Sequence, residues 1–362
     1  MRYYIDVIKT KQNNAAKKAP SDIANICNDM GMKAIHMPAI PYDKPVLFQK
    51  IWMLTVWATE LLKTSLKLKK GDILLIQHPL YGTKLLAHFL PIIKKKGVKL
   101  IAIIHDLNII RGADEDANGT LSKSVGMQDK IILKLFDSVI CHNDKMRSFL
   151  IESGFKKEKL ISIEIFDYLC EIGNHTAPKK EKTKKLVIAG NMSPKKSAYI
   201  YDLANSMSNQ KECVLYLYGN GYREDLITDV NNISYQGSIS PDELPKVLDY
   251  DYGIIWDGTS IETCTGHTGE YLRFNNPHKT SLYLAAELPV IVWSEAAIAD
   301  FVIANNVGIA VDNLKNIGSF LKNISENEYQ TMKNNTIQIS KKLRSGYYFK
   351  TAYEEAVRRN DL

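Results

Sequence analysis

The sequence has no run of about 18 apolar residues, the length at which a helix can cross a bilayer. Its first segment, Met1–Ile8, is short and interrupted by Asp6, so it predicts a β-strand and not the core of a signal peptide. The cysteines are few and scattered, and no two form a Cys-x-x-Cys pair. They are Cys27, Cys141, Cys170, Cys213 and Cys264. This pattern argues against a disulfide framework or a zinc site and favours buried thiols in the reducing cytosol.

Positive charge is concentrated near the amino terminus. The chain has a net charge of +7, and residues 1–100 contain 17 Lys or Arg but only 6 Asp or Glu. The first 100 residues therefore carry +11, and the other 262 carry −4. This imbalance predicts an anionic partner, or it simply maintains solubility. No recognisable nucleic-acid module is present and the lysines fall in amphipathic runs, so an anionic membrane surface fits better than nucleic acid.

A length of 362 residues suits two domains, and the alternation of short apolar runs with helical segments predicts a doubly wound α/β fold for each. Continuous runs such as Ile101–Ile104 are typical of strands buried on both faces of a parallel sheet. Six strands are predicted on each side of a polar, proline-containing stretch at residues 173–184. They are Tyr3–Ile8, Lys33–His36, Ile73–Gln77, Leu100–Ile104, Ser138–Cys141, Leu160–Ile163, Leu186–Ala189, Val214–Tyr218, Ile233–Tyr235, Tyr252–Ile255, Val290–Val292 and Ile309–Val311.

These elements predict an amino-terminal domain at residues 1–172, a linker at 173–184, a carboxyl-terminal domain at 185–344 and a last helix at 345–362. That helix can pack back on the first domain. Ligands of doubly wound sheets bind outside the carboxyl ends of the strands, so we expect the site in a cleft between the domains.

The segment Asn275–Thr280 opens a helix predicted at Pro277–Glu287. Asn275 or Asn276 can cap this helix, and the proline suits its first turn. A helix amino terminus is itself positive, so Lys279 is unfavourable there unless an anion is bound. The segment therefore predicts an anion site, and a capped helix with an exposed lysine is the alternative.

A second strand end carries glycines. The strand Val214–Tyr218 is followed by Gly219-Asn220-Gly221, and glycine lets the backbone approach a ligand or take a positive φ. The pattern lacks the third glycine of the G-x-G-x-x-G dinucleotide motif. A tight turn without a ligand is the alternative.

Three further segments place polar side chains after predicted strands. Glu262–Glu270 is a loop rich in Gly and Thr whose two end carboxylates can bind sugar hydroxyls, or can be solvated charges. His105 and Asp106 end a buried strand, where the Asp106 carboxylate can take a proton from a hydroxyl or can cap a turn. Asn13 and Asn14 are expected in the cleft, unless the loop that holds them is flexible.

The predicted helix Leu47–Leu68 mixes aromatic and aliphatic residues with lysines. This mixture fits a helix that lies in a membrane interface, with Phe48–Lys70 on an anionic surface. Packing of the helix on its own sheet is the alternative.

Several segments carry a resemblance to a known family. They are Ile104–Asp106, Arg111–Gly112, Cys141–Asn143, Phe166–Leu169, Gly190–Ser193, Ile255–Gly258, Glu262–Cys264 and Phe274–Leu284. Through them nearly the whole chain resembles the bacterial β-1,6-galactofuranosyltransferases of O-antigen and capsule assembly, most specifically from Ile255 to Trp293. More distantly it is similar to the streptococcal glucosyltransferase that extends N-acetylglucosamine on serine-rich adhesins.

The resemblance implies a GT-B fold of two Rossmann-like domains, with a UDP-sugar in the carboxyl-terminal half and a glycan acceptor in the amino-terminal half. It implies no metal and no other cofactor, because a helix amino terminus and basic side chains neutralise the leaving diphosphate. Lys279 and the backbone N–H groups available within residues 277–281 are expected to take that role here. Asp114–Asp116 has the spacing of a D-x-D metal motif but is expected on the acceptor side.

The site residues follow from the resemblance and the strand ends together. Those expected at UDP are Asn14, Asn191, Tyr218, Gly219, Gln236, Gly237, Asn275, Asn276, Pro277, His278, Lys279 and Thr280. Those expected at the donor sugar or acceptor are His105, Arg111, Glu262, Thr263 and Glu270. Many GT-B enzymes bind ribose through a Glu in this helix, where the present chain has Leu282. Asn191, Tyr218 or the turn Tyr235–Ser238 must then hold the ribose.

The function implied is an inverting, metal-independent transfer of galactofuranose from UDP to a sugar hydroxyl, with β-1,6 linkage and Asp106 as general base. A UDP-glucose or UDP-galactopyranose transferase acting on a glycan or glycoprotein is the alternative. A non-catalytic GT-B partner subunit is disfavoured by the presence of Lys279, Gly219 and Gly221. We expect a cytoplasmic protein at the inner face of the cell membrane with a lipid-linked acceptor, and a homo-oligomer is compatible with the sequence.

Overall fold

The computed structural model describes most of the chain. The described residues are 1–7, 17–41, 43–80, 82–111, 128–173, 183–207, 212–228 and 231–360. The chain divides into two compact units. The first comprises Met1–Gln12, Pro20–Ile163 and Phe349–Leu362, and the second comprises Asn13–Ala19 and Glu164–Tyr348.

The first unit contains a parallel six-stranded sheet in the order β2-β1-β3-β4-β5-β6. Its strands are β1 (Arg2–Val7), β2 (Lys33–Met37), β3 (Ile73–His78), β4 (Lys99–Ile104), β5 (Ser138–Cys141) and β6 (Leu160–Ser162). Every residue from Leu100 to Ile104 is fully buried. A central parallel strand is covered on both faces, which explains the unbroken apolar run of β4.

Helices connect the strands of the first unit. They are Lys18–Asp29, Val46–Trp52, Ala58–Lys67, Thr83–Lys95, Asn108–Arg111 and Asp144–Glu152, with a π-helix at Met53–Trp57, a 3₁₀ turn at Lys157–Lys159 and helical residues at 128–133. The last helix of the chain, Tyr347–Asn360, belongs to this unit from Phe349 onward. An ion pair between Arg2 and Glu354 joins it to β1.

The second unit also contains a parallel six-stranded sheet, in the order β12-β11-β10-β7-β8-β9. Its strands are β7 (Lys184–Ala189), β8 (Cys213–Tyr218), β9 (Ile233–Tyr235), β10 (Tyr252–Ile255), β11 (Val290–Trp293) and β12 (Gly308–Val311). Counted within this unit and read from β9, the order is 3-2-1-4-5-6. The strand order of such a sheet reverses beside its first strand, here between β7 and β10, and this switch point is where doubly wound sheets bind ligands.

The helices of the second unit are Pro194–Ser197, Tyr199–Ser206, Leu244–Val247, Gly266–Tyr271, His278–Ala285, Ile298–Ala304, Ile317–Lys322 and Glu326–Arg344, with a 3₁₀ turn at Glu224–Leu226. The longest of them starts with a capping box, in which Ser325 and Glu328 satisfy each other's backbone N–H groups. Ser340 in this helix donates its hydroxyl to the carbonyl of Ala285 at 2.7 Å. The end of helix His278–Ala285 is thereby anchored.

Helix His278–Ala285 is fixed against the sheet by Tyr283. The ring of Tyr283 packs on Gly253 of β10, where any Cβ would overlap it. The Tyr283 oxygen accepts the Ala189 N–H at 2.6 Å, at the end of β7. These contacts hold the helix against β7 and β10.

The predicted strands are all present, with bounds that differ by at most two residues. Between β9 and β10 the helix is limited to Leu244–Val247, and the prolines at 241 and 245 have no N–H to donate. The predicted linker at 173–184 falls mostly outside the described residues, and β7 begins within it at Lys184. In the described part of the chain, no helix is long and apolar enough to cross a membrane.

Candidate active site

Three glycines line the carboxyl ends of adjacent strands in the second sheet. Gly190, Gly219 and Gly237 follow β7, β8 and β9, and each has a positive φ. The Gly190 N–H donates to the Tyr218 carbonyl at 2.8 Å, and the Gly219 N–H donates to the Gly237 carbonyl at 2.8 Å. A Cβ on Gly219 would overlap the Gly190 carbonyl oxygen, so no side chain fits there. This edge of the sheet is bare backbone that a ligand can approach closely.

Lys279 brings a positive charge to this edge. A Cβ placed on Gly190 would lie 3.6 Å from its Nζ. The same Nζ lies 3.6 Å from Oδ1 of Asp257, which follows β10. Gly190 and Asp257 thus stand on the two sides of the switch point, with the lysine between them. The charge and the open backbone together can hold an anion.

The helix that carries Lys279 begins without a side-chain cap. Its N-cap residue is Pro277, so the expectation that Asn275 or Asn276 caps it is wrong. Asn276 instead donates its side-chain amide to a backbone carbonyl at 2.9 Å, and Asn275 Oδ1 is buried with no hydrogen-bond partner among the described residues. The first N–H groups of an α-helix have no acceptor within the helix, and their end of the helix is positive. The N-cap residue offers those groups no side-chain acceptor, which leaves them suited to an anion.

Several buried polar atoms in this part of the second unit make no hydrogen bond to any described residue. Within the described residues, Asp257 Oδ1, Thr280 Oγ1 and the Tyr199 hydroxyl are all buried without a hydrogen-bond partner. Burial and the nearby Asp257 raise the pKa of Tyr199. Buried polar atoms in folded proteins are nearly always hydrogen-bonded, so this group is suited to a polar ligand. Sequence reasoning named Asp257 only within a family motif and missed its pairing with the lysine.

His278, the first residue of the helix, packs against Tyr168 with ring centroids 4.9 Å apart. Burial and the positive charge of Lys18 lower the pKa of His278 to about 4, so its imidazole is neutral near pH 7. Lys18 is itself buried, lies 4.9 Å from the Tyr168 ring centre and pairs with Asp242 at 2.9 Å. Sequence reasoning did not identify this lysine. The positive charges near the helix start are therefore those of Lys279 and Lys18, and His278 adds none near pH 7.

The three side-chain positions considered for ribose differ in their surroundings. The Tyr218 hydroxyl is engaged with the Tyr250 hydroxyl at 2.7 Å, and its ring is buried. Asn191 and Gln236 are exposed at the same strand ends, and each makes a local hydrogen bond to a serine two residues away. Leu282, in the position of the usual ribose-binding Glu, is buried and apolar.

Comparison with known proteins assigns this architecture to a family. Models of the Glucosyltransferase 3-like amino-terminal and carboxyl-terminal domains match residues 2–165 and 186–356. The chain is 30% identical over 361 residues to Beta-1,6-galactofuranosyltransferase WbbI of Escherichia coli (strain K12). The aligned region covers 98% of each protein. It is 25% identical over 289 residues to Glucosyltransferase 3 of Streptococcus gordonii, which covers 79% of each. The chain belongs to this glycosyltransferase family.

Solved structures establish the fold. The lipopolysaccharide outer core galactosyltransferase WaaB aligns with a TM-score of 0.58 at 10% identity, over 99% of both chains. Sucrose-phosphate synthase from Thermosynechococcus elongatus aligns with a TM-score of 0.61 at 12% identity, over 99% of this chain and 97% of the other. These are GT-B enzymes. The GT-B fold implied by the sequence motifs is confirmed.

Two acidic residues expected at the sugar or acceptor are ion-paired at the surface of this glycosyltransferase. Glu262 pairs with Lys315, and Glu270 pairs with Arg273 at 2.9 Å. The expectation of a continuous loop from Glu262 to Glu270 is wrong, because its second half belongs to the helix Gly266–Tyr271. Two glycines give that helix a low intrinsic propensity, so its tertiary surroundings decide its formation.

In the first unit, Asp106 and His105 follow the central strand β4. Nε2 of His105 lies 2.7 Å from Oε1 of Gln77, which fixes the imidazole. His142 is buried against the backbone of this segment, and burial lowers its pKa to about 3. Asp106 is partly buried. The Asp106 carboxylate thus follows a central strand and a histidine whose side chain is held by a hydrogen bond.

A buried pair that sequence reasoning missed supports the segment after Asp106. His78 Nε2 lies 3.1 Å from Asp129 Oδ1, and both side chains are almost fully buried. The other carboxylate oxygen of Asp129 accepts the Asn108 N–H at 2.7 Å. The His78 carbonyl also accepts the His105 N–H at 2.7 Å. The backbone is thus held on both sides of Asp106.

The remaining expected residues lie elsewhere. Thr263 is half-buried between β10 and helix Gly266–Tyr271, while Arg111 ends the helix Asn108–Arg111 and its side chain is not described. Asn14 and Asp114–Asp116 lie outside the described residues. Among the residues that are described, no three His, Cys, Asp or Glu side chains form a group that could hold a metal ion.

Proposed function

We propose that this glycosyltransferase moves galactofuranose from UDP-galactofuranose to a sugar hydroxyl, with β-1,6 linkage and inversion at the anomeric carbon. The observation that carries the donor and the linkage is the 30% identity, over 98% of the chain, to the E. coli enzyme named for them. The proposed acceptor is a lipid-linked glycan of bacterial surface polysaccharide assembly.

In this proposal Lys279 and the start of its helix hold the donor diphosphate. Support comes from the position of Nζ beside Gly190 and from the helix start that no side chain caps. As the bond between the sugar and the β-phosphate breaks, negative charge develops on the departing UDP. A fixed ammonium group and helix N–H groups stabilise that charge, so we propose that transfer needs no metal. Asn191, Gln236 and Gly237 are the groups that we propose for the ribose.

Asp106 is the proposed general base. The acceptor hydroxyl oxygen attacks the anomeric carbon, the bond from that carbon to the phosphate oxygen breaks, and the hydroxyl proton passes to the Asp106 carboxylate. A single displacement of this kind inverts the configuration. The proposal is supported by the location of Asp106 after β4 and by the hydrogen bonds that hold its neighbours His105 and Asn108.

A UDP-glucose or UDP-galactopyranose transferase is the second candidate. Both matching domain models are named for Glucosyltransferase 3, and the S. gordonii relative carries the same name. Lys279 and the glycine edge would serve any UDP-hexose, because they are proposed to contact the diphosphate and not the sugar.

The test is to incubate the purified chain and a synthetic α-glucoside with UDP-galactofuranose, UDP-galactopyranose or UDP-glucose, each with a chelator present. Product is detected by mass spectrometry, and its linkage is read by NMR. The proposal expects product from the furanose donor at an undiminished rate with chelator. If only a pyranose donor gives product, the galactofuranosyltransferase proposal is wrong and the second candidate replaces it.

Matched variants separate catalysis from binding. Lys279→Met should lose transfer, whereas Lys341→Met, which removes an exposed lysine of the same unit, should not. UDP binding without transfer from any donor would contradict catalysis and favour a non-catalytic partner subunit.

A further inference from the structure

The first unit has an uninterrupted helical segment at residues 46–67, here called the exposed helix. It consists of Val46–Trp52, the π-helix Met53–Trp57 and Ala58–Lys67. Its second half packs inward through Trp57 and Leu61, but no residue of Val46–Trp52 is buried. The first half of the exposed helix is thus more exposed than the second half.

The outer face of the exposed helix is apolar. Its large apolar side chains have exposed fractions of 45% to 73%. They are Val46, Leu47, Phe48, Ile51, Leu54, Leu62 and Leu66. Single exposed apolar side chains are ordinary, but a contiguous group of this size marks an interaction surface.

The π-helix aligns these side chains in one stripe. The stripe consists of Leu47, Ile51, Leu54, Leu62 and Leu66. Successive residues of an α-helix are rotated by about 100°. In an unbroken α-helix, Leu62 and Leu66 would therefore point about 60° and about 100° away from Leu47. A π turn accommodates one extra residue and so turns them back by about 100°. All five then face the same side.

Lysines accompany the stripe. Residues 43–70 contain six Lys and only two acidic residues, a net charge of +4. The lysines are Lys44, Lys50, Lys63, Lys67, Lys69 and Lys70. Only Asp43 and Glu60 pair with any of them inside this segment. An apolar stripe with flanking lysines is the pattern of helices that lie in an anionic membrane interface.

We propose that the exposed helix docks this glycosyltransferase on an anionic lipid surface, with the stripe among the acyl chains and the lysines at the headgroups. A second copy of the chain is a poorer occupant. A two-fold contact through this helix would place two segments of +4 against each other. The proposal is independent of the donor sugar, and it would bring the enzyme to an acceptor carried by a lipid.

The experiment is flotation of the full chain with vesicles of phosphatidylcholine, with and without phosphatidylglycerol. The chain should float with the anionic vesicles, and added salt should reduce the bound fraction. Equal binding to neutral and anionic vesicles, or none to either, would overturn the proposal.

Two variants with matched controls test the surface itself. Leu54→Asp with Leu62→Asp should lower vesicle binding at least about tenfold, because charge enters the acyl boundary. Ile303→Asp is the apolar control, since Ile303 is 61% exposed in the other unit and Leu54 is 69% exposed. Lys50→Glu with Lys69→Glu and Lys70→Glu should lower binding by a similar factor, and Lys341→Glu should not.

Transfer to a soluble acceptor reports the fold of each variant and should be unchanged. Light scattering of the free protein provides the opposing outcome. A dimer that dissociates in the Leu54→Asp and Leu62→Asp variant would assign the stripe to a second copy and overturn the lipid proposal.

Discussion

Replacing Lys279 by Met tests the proposed donor site most directly, because Met keeps an apolar stem and removes the charge. Two opposite unit charges about 4 Å apart attract by about 4 kcal/mol at an effective dielectric constant of about 20. Desolvation cancels part of this, and a hydrogen bond to a charged group contributes about 1.5 to 3 kcal/mol net. We therefore expect Lys279→Met to weaken UDP binding by about 2 kcal/mol, or about 30-fold.

Asp257→Asn should act in the opposite direction. The Asp257 carboxylate lies 3.6 Å from Lys279 Nζ and competes with a phosphate for it. Removing the charge of Asp257 frees the Lys279 ammonium group and ends the repulsion between the carboxylate and a phosphate. UDP should therefore bind about fivefold more tightly, a gain of about 1 kcal/mol. The two side chains are in contact, so their effects are not additive. The double variant should bind UDP more tightly than Lys279→Met alone.

The measurement is a calorimetric UDP titration of the wild type, both single variants and the double variant, without metal. Lys341→Met is the control for a lost surface charge, and thermal unfolding reports the fold of each protein. A UDP affinity within about twofold of wild type in a folded Lys279→Met variant would refute the assignment. Weaker UDP binding in Asp257→Asn would show that this carboxylate contacts the ligand and does not compete with it.

Three further outcomes are expected. Gly219→Ala should destabilise the second unit by about 3 kcal/mol or more, since its Cβ would overlap the Gly190 carbonyl, whereas Gly237→Ala has open space and should cost only about 1 kcal/mol in calorimetry. Asp106→Asn should lower the transfer rate by about 10² to 10⁴ with unchanged UDP affinity, and an unaltered rate would remove it as the base. His278 has a pKa of about 4 in the folded protein and about 6.5 in the unfolded chain, so the unfolded state takes up the proton first as the pH falls. The free energy of unfolding should therefore fall by about 3 kcal/mol from about pH 6.5 to about pH 4. Urea unfolding at several pH values measures this loss, and His278→Gln should reduce the slope.

Much of this protein follows from local sequence patterns. Strands such as Ile101–Ile104 and Val290–Val292 were predictable from short runs of apolar, mostly β-branched residues. Such a run indicates a strand that is buried on both faces of a sheet. The helix start near Lys279 was predictable because proline is common in the first turn of a helix. Lys279 drew attention because a lysine is electrostatically unfavourable at the positive end of a helix. The switch-point order of the second sheet follows from neither feature, since it depends on which strands pair.

The sequence by itself determined the two α/β units and pointed to the glycine turn and the lysine of the proposed anion site. Only the tertiary structure decided that Asp257 faces Lys279, that Lys18 lies beside His278, and that the π-helix Met53–Trp57 aligns an exposed stripe. The physical reason is range. Propensity and periodicity act over a few neighbouring residues, whereas a buried charge is specified by partners that the fold brings from distant parts of the chain.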